Sequence, residues 1–248
     1  MRVTGGGVVH AADVAAERTA GVALVRTLMT TGSAGPCLVR RLVDVPSGAH
    51  FDGTGAAAGE LWFVIAGPGQ LDIDGHPGLR AAHDRALWIP AGARYLLRAD
   101  GPDALQLDAV TLPAWPAGSG RPADLASAGS AAPVAADLGD CPVERTGDRE
   151  FRVLFGPGRG CAVATQFVGE IPPGRAPEHS HPYDEVVLVL EGDGVLHADG
   201  DDHALSAGTC AHLAPGQVHC LENTGTGPMR VLGVFHPADS PAAKTARA

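Results

Sequence analysis

Apolar residues in this chain come in short runs, the longest about six residues (Leu61–Ala66), each closed off by glycine, proline or an acidic residue. In the second half, the β-branched stretch Glu185–Leu190 meets a turn signal at Glu191–Gly194. It continues as Val195–Ala198 and turns again at Asp199-Gly200. Glycine and Asp-Gly punctuation between such runs predicts hairpins. Short strands every 8–12 residues or so, without amphipathic helices between them, predict an all-β antiparallel barrel or jelly roll, whose closure hides the sheet edges. One short helix is expected, over Ala11–Ala20.

The pattern occurs twice. Glu60–Gly69 aligns with Glu185–Gly194, and Leu71–Gly75 with Leu196–Gly200, at an offset of 125. Asp44–Gly48 falls on Glu170–Gly174 at offset 126, while Pro90–Gly92 falls on Ala214–Gly216 and Val110–Ala114 on Val234–Ala238 at offset 124. Blocks in one order at a nearly constant offset mean two copies of one module. Residues 1–114 are expected to form a first barrel and 141–248 a second. Residues 115–140, rich in Ala, Pro, Ser and Gly and lacking either period, are expected to form a linker.

Composition fits this picture and narrows the partners. With 45% apolar residues the chain can bury a core, which excludes disorder, and 34 Gly and 20 Pro suit a fold of turns. The net charge is −10 with no basic run, and a phosphate-tracking groove needs clustered Lys and Arg, so no nucleic-acid partner is expected. Only Lys244 among the basic residues is a lysine, a compositional bias. The apolar runs fall far short of the ~20 residues of a membrane helix. Asp13, Glu17 and Arg18 interrupt the stretch a secretory signal needs, so a soluble, cytoplasmic protein without a membrane partner is expected. Cys37, Cys141, Cys161, Cys210 and Cys220 lack paired spacing and read as reduced, mostly buried thiols. There is no nucleophile elbow, P-loop or dinucleotide fingerprint, and Gly5–Gly7 reads as a flexible segment.

The chemistry concentrates in the second module. His179, His181 and Glu185 share a parity, so on a strand all three side chains point to one face. His219 follows the Pro215-Gly216 turn, where a neighbouring strand can bring a third imidazole to the same point. Three neutral imidazoles and one carboxylate suit a single Fe(II), Mn(II), Ni(II) or Zn(II) ion and leave positions open for a ligand. A lone His is more often a satisfied polar residue, but four donors framed by Gly192, Gly208 and Gly216 are a specific pattern.

These residues resemble the two motifs of the cupin superfamily, G-x5-HxH-x3,4-E-x6-G and G-x5-PxG-x2-H-x3-N. The gap from Gly174 to His179 is one residue short, and Ala214 stands where proline is usual; neither departure touches a ligand. The resemblance covers both modules and implies a bicupin, two double-stranded β-helix barrels in tandem. It implies one divalent metal ion per chain, Fe(II) favoured, held by His179, His181, Glu185 and His219. It also implies a dioxygenase-like oxidoreductase acting on a small oxygen-rich molecule, such as a diol, enediol, keto acid or catechol. Two alternatives stay open: a non-oxidative metal-assisted isomerase, cyclase, decarboxylase or hydrolase, and a ligand-binding or sensing protein without turnover. A homo-oligomer would suit such barrels.

In the first module Thr54, Ala56 and Tyr95 stand at the three histidine positions and only Glu60 remains, so this barrel is expected to hold no metal. His50 and His83 lie nearby without the right offsets. Around the second site, Tyr183 shares the ligands' parity and is the candidate proton donor, with packing at the barrel mouth as the competing reading. Arg175 is a candidate substrate-carboxylate contact, against a plain surface role. Phe167, Val187, Val189 and Leu221 are candidate apolar walls, against plain core. Gln217 and Asn223 are expected to hold the turn and the ligands through side-chain hydrogen bonds. His197 and His212 either join the pocket or simply lie on strands; Glu178 and Asp184 are expected to be solvated, and Cys220 to face away.

Overall fold

The computed structural model describes residues 7–31, 37–114 and 134–242. The regular structure of the described residues is nearly all β, and the two halves repeat one sheet plan. In the first half, β2 (Glu17–Arg18), β3 (Leu24–Thr30), β4 (Val39–Val45), β6 (Glu60–Ala66), β9 (Arg85–Ile89), β11 (Leu105–Thr111) and β12 (Ala135–Asp137) form a sheet in the order β12-β9-β6-β11-β4-β3-β2. A smaller sheet, β5-β10-β7-β8, closes the barrel with β5 (His50–Thr54), β7 (Gly69–Ile73), β8 (His76–Ala81) and β10 (Arg94–Ala99). In the second half, β1 (Val8–His10), β13 (Glu144–Thr146), β14 (Arg149–Phe155), β15 (Thr165–Ile171), β17 (Asp184–Glu191), β20 (Thr209–Leu213) and β22 (Met229–His236) order as β1-β20-β17-β22-β15-β14-β13. The small sheet opposite, β16-β21-β18-β19, comprises β16 (Gly174–Arg175), β18 (Gly194–Ala198), β19 (Asp201–Leu205) and β21 (His219–Asn223).

Register carries the repeat to single residues. Glu60 pairs with Thr111 and Ile89, and Glu185 with Phe235 and Leu213. Both central strands are buried on two sides, which is why their sequences read as continuous apolar runs instead of alternating ones. Trp62 and Val64 point into the first barrel. Leu61 and Phe63 point out of it and join Val186, Leu188, Leu232 and Val234 of the second barrel in one core between the two. Inside that apolar layer lies a fully buried ion pair. Arg40 Nε is 2.7 Å from Asp108 Oδ1, and Arg40 Nη2 also donates to the Leu232 carbonyl of the other barrel at 3.0 Å.

Two expectations need correction. Ala11–Ala20 is not a helix: a single 3₁₀ turn at Ala11–Asp13, capped by the His10 side chain, leads into β2. The turn-forming Gly21 and the adjoining β pairing prevail over the weak helical signal. The expected linker is not structureless at its end either. Residues 115–133 lie outside the described residues, but Ala135–Asp137 pair with β9 of the first barrel and Leu138–Asp140 form a 3₁₀ turn. Conversely, β1 pairs with β20 of the second barrel. Each large sheet thus takes an edge strand from chain outside its own repeat.

Candidate metal centre

The loop leading into β17 and the start of β21 are stitched together by a pair of backbone hydrogen bonds, His179 N to His219 O (3.0 Å) and His219 N to His179 O (2.9 Å). The turn before β21 needs its Pro-Gly. Gln217 N closes on Ala214 O at 3.0 Å with Gly216 at φ +78°, the left-handed conformation that glycine adopts without steric cost. Gly216 N then donates to the His181 carbonyl at 2.7 Å, tying the second histidine to the same turn. Gln217 Oε1 accepts from Ala214 N, and its Nε2 donates to Asp199. Asn223 binds Ile171 O, Gly227 O and Gly225 N, fixing the far end of β21.

His179, His181 and His219 converge, with one ring nitrogen of each within 4.8 Å of the others. Each Nδ1 has an acceptor: the Pro177 carbonyl at 3.1 Å, Tyr183 Oη at 3.0 Å and the Gln217 carbonyl at 2.9 Å. A carbonyl can only accept, so Nδ1 of His179 and His219 carries the proton. Tyr183 Oη can accept from His181 because its own proton has the Ser240 carbonyl, 3.5 Å away. In His179 and His219 Nε2 is therefore the nitrogen that presents a lone pair, the tautomer a divalent ion requires, and the Tyr183 hydroxyl leaves the same tautomer open to His181. Glu185 Oε2 lies 3.6 Å from His181 Nε2. Burial pushes the Glu185 carboxyl up to about 8, as happens to an acid whose charge lacks a close counter-ion. Burial likewise pulls His219 below its ordinary value and favours the neutral imidazole. The donor set fits a divalent cation, which bonds imidazole nitrogen at about 2.0–2.2 Å.

These groups line a cavity of about 80 Å³ whose apolar walls include Phe167, Val187, Leu221 and Phe235. Val189 is buried core, outside the cavity lining. Arg149, at the start of β14, lines it too. Its Nη2 donates to the Leu221 carbonyl at 3.0 Å, and partial burial pulls the guanidinium down from its ordinary value. An arginine stays cationic under such a shift. Nothing in the motifs pointed to Arg149, because it lies on the β13–β14 hairpin, well before Gly174 in the chain.

Several expectations are placed differently. Tyr183 does not line the cavity; it stacks behind His181 at 4.8 Å and 11°, and burial pushes its phenol well above its ordinary value. The bend at Pro182 breaks the strand parity that would have turned it inward. Arg175 sits outside, with Nε on Cys220 Sγ (3.3 Å) and Nη2 near Glu178 (3.5 Å). His197 lies on the outer face of β18 between Asp202 and Glu222. His212 faces away from the cavity as well and binds Asp184 at 2.7 Å, so Asp184 is half-buried, not freely solvated. Cys220 is buried on the outer side of β21, and all five cysteines are free thiols.

The first barrel has no such cluster among the described residues. Glu60 accepts from Trp62 Nε1 at 2.9 Å and from Arg41 Nη2 at 3.2 Å, and Phe51, Trp62 and Tyr95 pack together over it. Thr54 is exposed, and His50 and His83 stay at the surface beside Asp52 and Asp84. No helix among the described residues is long and apolar enough to cross a membrane.

Comparison with known proteins agrees with this architecture. The cupin domain model matches residues 167–235. The oxalate-binding protein of Thermotoga maritima is 34% identical over 68 residues, 27% of this chain and 56% of that protein, so the match spans little more than half of that relative. Among solved structures, the protein Ylba of E. coli superposes with a TM-score of 0.73 at 12% identity, covering 95% of this chain and 93% of its own. A mutant of Bacillus subtilis oxalate decarboxylase gives 0.74 at 13%, covering 99% and 80%. The formate complex of Lactobacillus farciminis oxalate decarboxylase gives 0.73 at 15%, covering 94% and 87%. At such identities the structural likeness speaks to the fold. The C-terminal barrel is a cupin domain, and the chain as a whole has the tandem-barrel fold of a bicupin.

Proposed function

We propose that the second barrel is a metal-dependent centre for a small carboxylic acid and performs non-oxidative, decarboxylase-type chemistry, in preference to the dioxygenase chemistry expected from the motifs. The observation that carries the reading is the combination in one cavity of three converging imidazoles, a buried carboxylate and the Arg149 guanidinium. His179, His181, Glu185 and His219 would hold the ion. Bound there, it would act as a Lewis acid on a coordinated substrate oxygen. Three imidazoles and a carboxylate serve Mn(II), Fe(II), Ni(II) and Zn(II) alike, so the metal is a matter for measurement.

The chain's own groups do the rest. Arg149 offers a fork of donors to a substrate carboxylate, a contact with both charge and direction. Phe167, Val187 and Phe235 line the same cavity with apolar surface, which limits water and strengthens every charge interaction inside. A cavity of about 80 Å³ holds on the order of five to eight heavy atoms. That is room for an acid of two to four carbons. Tyr183 is a positioning residue in this scheme. Its hydroxyl is committed to His181 Nδ1 and lies behind the ligand. The names of the relatives, oxalate-binding protein and oxalate decarboxylase, point to the same chemical class.

The test is direct. Protein loaded with Mn(II) or Fe(II) is given oxalate and longer keto and dicarboxylic acids while CO₂ release and oxygen uptake are followed together. CO₂ without net oxygen consumption supports the proposal, and stoichiometric oxygen uptake overturns it. Saturable binding without any product would favour a ligand-binding role, the reading suggested by the name of the T. maritima relative.

A further inference from the structure

We propose that Gly233 sets the depth of the cavity by giving the Phe167 ring a niche to lie in, and thereby fixes the size of acid that the centre admits. The carboxylate reading above supplies only the choice of probe.

On the inner face of the large sheet, Phe167 of β15 stands directly opposite Gly233 of β22, whose other neighbour is Val187 of β17. A Cβ built on Gly233 would lie 2.1 Å from Phe167 Cε1 and 2.3 Å from Cζ, inside any possible contact. The ring thus occupies the volume that a side chain at 233 would need. The backbone gives no other reason for this glycine. It sits inside β22 and is absent from the residues with positive φ, and in an ordinary strand glycine weakens pairing and packs nothing. Gly169, the next inward position of β15, is a weaker case: a Cβ there would make ordinary contact with Phe167 at 3.5 Å and a tight one with Val231 at 3.2 Å.

A displaced ring has one direction to go. Phe235 packs beside it at a centroid distance of 4.8 Å and is itself backed by Tyr183 at 4.6 Å. The remaining side is the cavity, shared with His181, Glu185 and His219. The first barrel already contains the alternative arrangement. The register that pairs Phe167 with Gly233 pairs Arg41 with Ala109. Where a Cβ is present on the facing strand, the long side chain at the Phe167 position reaches the barrel centre, Arg41 Nη2 lying 2.7 Å from Thr111 Oγ1 and 3.2 Å from Glu60. Glycine at 233 is what lets an aromatic side chain line the second barrel without filling it.

The experiment titrates the Mn(II)-loaded chain calorimetrically with oxalate and with succinate. Gly233→Ala is expected to weaken succinate at least about tenfold more than oxalate, because succinate carries two methylenes that oxalate lacks and each is worth about tenfold or more in an apolar pocket, with bound Mn(II) unchanged. Phe167→Ala in the Gly233→Ala background is expected to restore succinate. Equal weakening of both acids, or no recovery in the double variant, overturns the proposal. Should Gly233→Ala fail to fold, Phe167→Ala alone decides: a shift of the succinate-to-oxalate affinity ratio toward succinate supports the proposal and an unchanged ratio overturns it. Should the unaltered protein bind neither acid, the carboxylate reading falls by itself. A crystal structure of Gly233→Ala then decides: the Phe167 ring over the cavity supports the niche, and an unmoved ring with β22 displaced overturns it.

Discussion

Glu60 and Glu185 occupy the same place in the two barrels, the first opposite Thr111 and the second opposite Phe235. Their surroundings differ in one respect with large consequences. Around Glu60 the chain supplies its own cation, Arg41, and an indole donor, Trp62. By strand register the corresponding positions around Glu185 are Phe167 and Val187, both apolar. A carboxylate in an apolar interior must find a positive partner or take up a proton. The first barrel satisfies that requirement with a covalently attached guanidinium and plugs the remaining space with Phe51, Trp62 and Tyr95. The second leaves the space open and surrounds it with imidazole lone pairs. Missing histidines are thus half of the first barrel's silence; the other half is an internal cation already in position.

The largest effect that would break this comparison is in metal stoichiometry. Protein expressed without chelators is expected to carry one divalent ion per chain by elemental analysis. His219→Ala should abolish it, while Tyr95→Phe, the equivalent position in the first barrel, leaves the ion content unchanged. Two ions per chain, or loss of metal from Tyr95→Phe, would show that the first barrel is not silent.

The next effect concerns the layer between the barrels. At the positions matching Arg40 and Asp108 the second barrel has Gln166 and Leu232, so the ion pair has no counterpart across the pseudo-symmetry. Asp108→Leu leaves a buried guanidinium unanswered and is expected to cost about 3–5 kcal/mol in urea denaturation. Arg40→Gln combined with Asp108→Leu copies the second barrel's pairing and should recover most of that loss. A double variant as unstable as the single one would mean that the pair's own attraction holds the barrels together.

How much of this was legible in the sequence follows the same division between local and distant geometry. The repeat, the strands and the convergence of His179, His181 and His219 were readable because each depends on spacing within a hairpin or a turn. Arg149 was not, because only the packing of the β13–β14 hairpin against β21 brings it to the cavity. Asp184 read as solvated, and for His212 the pocket and a plain strand position both stayed open; the structure turns His212 away from the cavity and onto Asp184. A hydrogen bond between residues on neighbouring strands of the outer face leaves the pair half-buried, which spacing along one strand does not reveal. The exchange of β1 and β12 between the sheets also depends on chain far from either repeat. Tyr183 misled for a smaller reason: parity counts hold only along a regular strand, and the loop before β17 bends at Pro182.

A third effect is on the order of 2 kcal/mol and depends on pH. Burial raises Tyr95 in the first barrel to about 12, with the Glu60 charge adding to the shift. Below pH 10 both folded and unfolded chains keep this proton and the stabilisation is complete. Between about 10 and 12 the unfolded chain ionises first, so stability falls as pH rises. Tyr95→Phe should flatten that part of the alkaline stability curve, leaving the contribution of the other buried tyrosine. An unchanged slope would mean that Tyr95 is not packed as a neutral phenol, and with it the plugged barrel would be in doubt.

The smallest effect separates a positioning role from a chemical one at Tyr183. If its hydroxyl only holds His181 in the metal-ready tautomer, Tyr183→Phe removes one hydrogen bond from the imidazole and nothing from the cavity. Losses of this kind typically weaken metal binding about 10-fold, near 1.4 kcal/mol. The variant should therefore need more Mn(II) to reach half saturation in a competition titration. At saturating metal its ligand affinity and any turnover should match the unaltered chain. A variant with normal metal affinity and lost turnover would return Tyr183 to the role of proton donor, with its hydroxyl swinging past His181 into the cavity. The ring stack at 4.8 Å and the packing of Phe235 behind it argue against that swing, since the phenol would have to leave both faces at once.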